Sequence, residues 1–155
     1  MVDVTRSGEA GSKSAEAPPR PRSGPNAAYM SMLAQQENAR RTLDIAEGRL
    51  IAASRLAIQL GISEHAVDSA RVACRMFCFE TNQGGYVYPA FYADPAISRQ
   101  DVEAVTLALG PAPASSKWQF FTTPKMSLDG RSPLQALREG HLQAVMRSAA
   151  GYIER

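Results

Sequence analysis

The chain has 155 residues, 45% of them hydrophobic, with 17 basic against 15 acidic side chains for a net charge of +2. That suffices for one ordinary domain or two very small ones with a real core, and excludes a full barrel or a large doubly wound enzyme. The balance also excludes a polybasic coat or an acidic tail, and lends nucleic-acid binding no support from bulk charge.

Residues 1–26 differ in kind from the rest. Pro18, Pro19, Pro21 and Pro25 fall close together, and Ser, Gly, Ala, Glu and Lys dominate the remainder. So few large apolar side chains do not offset the entropy of ordering, and the composition predicts a disordered tail. Arg20 and Arg22 are read as part of a solvated linker. A first helix is expected over Ala28 to Glu47, with Met32, Leu33, Gln36, Leu43 and Ala46 as a broken apolar stripe and Gly48 ending it.

A short helix is expected from about Ala53 to Leu60, with Ser54 as an alternative cap at its start, then Gly61 as its stop, Ile62 as a plug and Ser63 as the cap of the next helix, Glu64 to about Arg75. Val67, Ala70 and Cys74 share one face of that helix. The pair reads as a helix-turn-helix. The period then changes. Alternation in MFCFE and YVYPAF, with Gly84 and Gly85 between, predicts a β-hairpin wing whose second strand ends at Pro89.

Ser98 caps a helix over Arg99 to Leu109, with Asp101 placed to complete a capping box and Val102, Val105 and Leu109 facing inward. After the GPAPASS loop, a short helix over Ser116 to Phe121 presents Trp118 and Phe121. Asp129 and Gly130 make a turn, Ser132 caps a helix that begins on Pro133, and Gly140 ends it. A final helix carries Leu142, Val145, Met146, Ala149 and Ile153 on one face. The expected fold is therefore mainly α: a helix-turn-helix with a β-hairpin wing over 27–94, then a small C-terminal helical bundle over 95–155. No stretch approaches 18 apolar residues, and the first residues lack the apolar run of a signal peptide.

Cys74 and Cys78, four apart, fit one helix face, and both are expected to act as small hydrophobes in a reduced, cytoplasmic chain. With only His65 and His141 besides, a zinc site lacks ligands. No Walker or Rossmann glycine pattern occurs, and spacing suggests no Cys–His or Ser–His–Asp grouping. The expectation is a non-enzyme with neither metal nor cofactor.

Trp118, Pro124, Leu128, Gly130, Arg131, Ser132, Pro133, Leu134, Leu137, Gly140, Val145, Ala149 and Ala150 carry a resemblance to the toxin-binding domain of antitoxins of the Xre/MbcA/ParS type. Larger relatives of that family resemble residues 50–94 as well, so the resemblance spans about two-thirds of the chain. It implies a protein partner, a small toxin of the RES-type NAD-degrading or ADP-ribosyl-transferase-like kind, and an antitoxin that occludes the toxin's cleft. It also implies repression of its own promoter and a homodimer, with the first helix and the hairpin as candidate surfaces. Trp118, Leu128, Gly130, Arg131, Ser132, Pro133 and Leu137 are the partner-binding or signature residues. Arg131 either braces the turn through backbone carbonyls or reaches the partner; bracing is favoured, since an arginine beside a capped turn needs acceptors.

A second reading is a regulator whose main role is promoter binding. His65, Ser69 and Arg71 are then the base-edge candidates, with Arg55 and Arg75 near phosphates. A third is a protein–protein adaptor that uses the helix pair only for packing. Residues 27–95 hold six basic and seven acidic side chains, a sign unfavourable to phosphate binding.

Overall fold

The computed structural model describes residues 25–153. The tail expected over 1–26 falls almost wholly outside them. A 22-residue helix, α1, spans Pro25–Ala46. Its residues up to Leu43 form a unit of their own, and residues 44–155 form a second, compact one. On α1, Tyr29, Met30, Met32 and Leu43 are exposed, so the expected stripe is not a core stripe.

In the second unit, β1 (Leu50–Ala52) leads into α2 (Ala53–Leu60) and α3 (Glu64–Val72). Local chemistry explains the helix-turn-helix. Gly61 adopts a left-handed backbone, φ 70°, and its N–H closes onto the end of α2. Ser63 then accepts the Ala66 N–H at 3.0 Å and starts α3. Ile62 packs against the core, and Leu56, Ala57, Val67 and Ala70 are buried between the two helices and the rest of the unit.

The second helix ends at Val72, three residues before the expected Arg75. Cys74, not a glycine, takes the left-handed position there, with φ 64°. Its side chain is exposed, which corrects its expected place on the buried face beside Val67 and Ala70. After it come β2 (Phe79–Glu80) and β3 (Tyr86–Pro89). MFCFE is therefore mostly not strand; only its last two residues pair. β1 completes a three-stranded antiparallel sheet in the order β1-β3-β2, with Leu50 opposite Pro89 and Phe79 opposite Val87. Pro89 ends its strand, as expected.

A 3₁₀ turn at Ala90–Ala93 leads to α4 (Arg99–Ala108), α5 (Ala114–Thr122), a second 3₁₀ turn at Met126–Leu128, α6 (Pro133–Arg138) and α7 (Leu142–Ile153). Ser98 caps α4 by accepting the Asp101 N–H, and Val102, Val105 and Leu109 are fully buried. Along α7, Val145 and Ala149 are buried and Leu142 and Met146 half-buried, whereas Ile153 is exposed. The core does not divide at residue 94. One cluster runs from Ile51 through Leu56, Phe77 and Tyr92 to Phe121, Leu137 and Ala149.

Aromatic rings join the wing to the C-terminal helices. Phe77 lies 6.0–6.2 Å from the rings of Phe79, Phe91, Tyr92 and Phe121. Beneath them runs a buried chain of hydrogen bonds. The Phe77 N–H donates to the Tyr92 hydroxyl at 3.2 Å. The Tyr92 and Thr106 hydroxyls are 2.8 Å apart, and Thr106 donates to the Val102 carbonyl. With the Thr106 proton spent on that carbonyl, Tyr92 is the donor to Thr106. Burial pushes the Tyr92 phenol far above its ordinary pKa, so it stays protonated and each bond in the chain persists.

Tyr92→Phe leaves a buried N–H without an acceptor and is expected to cost about 1–3 kcal/mol in urea unfolding. Cys74→Gly relieves the left-handed strain at an exposed position and is expected to raise stability by roughly 0.5–1 kcal/mol. A midpoint that does not move in the second case shows that the sulfur's surroundings offset the strain.

Candidate functional site

Two surfaces hold the residues singled out from the sequence. The first is the outer face of α3 with the adjoining wing. His65 and Ser69 are exposed on it, and so are the acidic Glu64 and Asp68. Arg71 is not extended into solvent. Its guanidinium lies over the Tyr86 ring of the wing at 4.6 Å and pairs with Asp68. Its Nε is buried and has no hydrogen-bond partner among the described residues. A cation stacked on an aromatic face and held by a carboxylate has much of its field already spent.

Arg75 is likewise engaged. Its Nη1 donates to Glu103 on α4 at 3.2 Å, and Arg99 holds the other oxygen of the same carboxylate at 2.8 Å. Glu103 is only 8% exposed, so a buried carboxylate is satisfied by two arginines, one from either side. Arg75 thereby ties the end of the helix-turn-helix to α4. Arg55 is exposed and makes no hydrogen bond or ion pair among the described residues. Of the five residues proposed for duplex contact, three are therefore open to solvent and two are folded back onto the protein.

The second surface is the turn from Lys125 to Gly140. The Lys125 N–H donates to the Arg131 carbonyl at 3.0 Å, and the Gly130 N–H returns to the Lys125 carbonyl at 2.9 Å. Asp129 and Gly130 both take left-handed backbone, φ 57° and 84°. Asp is among the few residues with a Cβ that enter this region, and Gly has no Cβ to clash. Ser132 then accepts the Gln135 N–H at 3.1 Å and starts α6, with Pro133 in the first helical turn. Leu128, Pro133 and Leu137 are buried anchors.

Arg131 serves the turn. Its Nη1 reaches the Leu128 carbonyl at 3.4 Å and its Nε the Glu139 carboxylate at 2.5 Å. Ser127 is bonded to Ser148 of α7, and Lys125 lies over the rings of Phe120 and Tyr152. The loop is thus pinned at several points, yet Met126 at its apex is 94% exposed. Trp118 is half-buried and lies against Phe79 and Phe91, some distance in sequence from this turn but on the same compact unit.

The sequence reading missed Glu103, whose role appears only when the helix carrying it packs beside residue 75. Its one sequence signal was Arg99 four residues before it, the spacing of a helical ion pair. Cys78 is half-buried, and burial pushes its thiol pKa up; it behaves as the small hydrophobe expected, unlike Cys74. Among the described residues no group of three or more His, Cys, Asp or Glu is gathered so as to hold a metal ion. No helix among them is long and apolar enough to cross a membrane. Compared with protein-family models, curated proteins and solved structures, the chain matches none.

Arg75→Ala is expected to lower stability by about 1 kcal/mol, because the half-exposed ion pair is screened but leaves Glu103 with one partner. Arg55→Ala, at an unpaired surface position, is expected to stay within about 0.5 kcal/mol of the wild type. Chemical unfolding of the two variants side by side checks the contrast.

Proposed function

We propose that this chain is a protein-binding antitoxin whose C-terminal region engages a cognate toxin, of the RES-type NAD-degrading or ADP-ribosyl-transferase-like kind. The observation that carries the reading is the Lys125–Gly140 turn. The Gly130-Arg131-Ser132-Pro133 signature of the Xre/MbcA/ParS resemblance coincides with a rigid, hydrogen-bonded loop. That loop holds an almost fully exposed methionine. A rigid loop loses little entropy on binding, and a methionine adapts to an irregular apolar partner surface. Exposed Tyr29, Met30, Met32 and Leu43 on α1 favour the accompanying reading of a homodimer formed through that helix.

Promoter binding is the second reading. It draws on the helix-turn-helix and the sheet beside it. Against it stand the acidic outer face of α3 and the engagement of Arg71 and Arg75 inside the protein. The adaptor reading needs only the first of these features.

Co-expression with the product of the neighbouring gene, followed by affinity purification and light scattering, tests the proposal. The expected outcome is a stable complex with the full-length chain and none with a chain truncated after Gly140. Two folded proteins that do not associate would sink the antitoxin reading. In a gel shift at low salt, the expected result is no preference for the chain's own promoter over random duplex; a salt-sensitive preference for the promoter would favour the regulator.

A further inference from the structure

Two residues with a Cβ take left-handed backbone among the described residues, Cys74 and Asp129. Aspartate enters this region readily and cysteine does not. The strained cysteine is also exposed. Its thiol has only a weak bond to the Val72 carbonyl, at 3.9 Å. A glycine there would carry no strain, so the fold bears a cost for presenting a thiol at this point, as functional sites commonly do.

A second cost lies beside the first. Lys117 on α5 is only 7% exposed, yet its amine has neither a hydrogen bond nor an ion pair among the described residues. Lysines so enclosed are ordinarily paired. Cys74 is the one titratable group whose charge acts on it. Ring stacking shows how the two segments meet. Phe77, just after Cys74, lies over Phe121, one helical turn after Lys117, with centroids 6.1 Å apart and planes 11° from parallel. Burial holds the Lys117 pKa below the ordinary lysine value, so more of its amine is uncharged and nucleophilic near neutral pH.

An exposed thiol and an enclosed amine are the two halves of an acyl relay. A thiol exchanges acyl groups readily with thioesters. An amine within reach then keeps the group, since an amide is the more stable product. Proximity replaces the encounter with a dissolved reagent that enclosure denies the amine.

We propose that Cys74 and Lys117 form an acyl-capture site, at which Cys74 accepts a short acyl group from a soluble acyl thioester and passes it to Lys117. In the first step the Cys74 sulfur attacks the thioester carbonyl, the carrier leaves as a thiol with the cysteine's proton, and Cys74 becomes the thioester. In the second the Lys117 nitrogen attacks that carbonyl, the C–S bond breaks, and a proton from nitrogen restores the Cys74 thiol. The product is an uncharged amide, so the enclosed charge without a partner disappears. No partner protein takes part, and the site stands apart from toxin binding.

The full chain is incubated with S-acetyl-N-acetylcysteamine, quenched in acid, digested with pepsin at low pH so that no acetyl group migrates afterwards, and mapped by mass spectrometry. Lys13 and Lys125, the other lysines, and Cys78, the other cysteine, serve as internal references. Lys117 is expected to be acetylated at least about 10-fold faster than either reference lysine, a small part of what good alignment provides. Cys74→Gly, which lacks the thiol and relieves the strain, is expected to lose that excess. Lys117→Met is expected to leave the acetyl group on Cys74 as a hydroxylamine-labile thioester. In concentrated urea the preference for Lys117 is expected to vanish.

Equal rates at the three lysines overturn the relay, as does an excess at Lys117 that is unchanged in Cys74→Gly or in urea. A thioester that stays on Cys74 of the wild type, or acetylation of Cys78 in preference to Cys74, overturns it as well. Should Lys117→Met fail to fold, Cys74→Gly decides.

Discussion

The packing of Phe77 is the constraint on which the rest of the architecture depends. It sits just after the helix-turn-helix and before the first strand of the hairpin, and it touches rings from the wing, the following 3₁₀ turn and α5. Its backbone N–H is also the first donor in the buried chain through Tyr92 and Thr106 to α4. Apolar contact and polar satisfaction thus meet at one residue. Ring packing alone is tolerant of small rotations, whereas hydrogen bonds fix distance and angle. Together they set where the sheet stands against the C-terminal helices.

That arrangement gives the charged residues their roles. Arg71 and Arg75 lie where a duplex-reading module would present its cations. Here the wing is close enough for Tyr86 to cover one, and α4 close enough for Glu103 to capture the other. What is left on the outer face of α3 is short, polar or acidic. By contrast, the signature turn keeps its arginine for internal bonds and offers an apolar tip. The outer face of α3 therefore carries little uncompensated positive charge.

Much of this was legible in the sequence, for a physical reason. Caps are local. Ser63, Ser98, Ser132 and Pro133 act within one turn of chain, so the starts of α3, α4 and α6 follow from residue type and order. The end of α2 at Leu60 followed from Gly61, its start was bounded only to Ala53 or Ser54, and the buried stripe of α4 followed from its period. What escaped has equally definite causes. Three residues are too few for alternation to register, so β1 was invisible until β3 lay beside it. The end of α3 was overrun because a cysteine stands where glycine would have marked the stop. The pairing of Arg75 with Glu103 could not be read because the two lie 28 residues apart.

The pairing of β1 with β3 bears on synthesis. Leu50 finds Pro89 only after the helix-turn-helix and the hairpin have been made, and Phe77 finds Phe121 only after α5 has followed. A chain translated past residue 95 but not yet through α5 therefore carries a set of uncovered aromatic rings. Such surfaces invite pairing between nascent chains on neighbouring ribosomes. The interval between the wing and α5, about thirty residues, lasts a few seconds at ordinary elongation rates. During it, a chaperone that shields aromatic side chains would govern how much of the protein reaches its folded state.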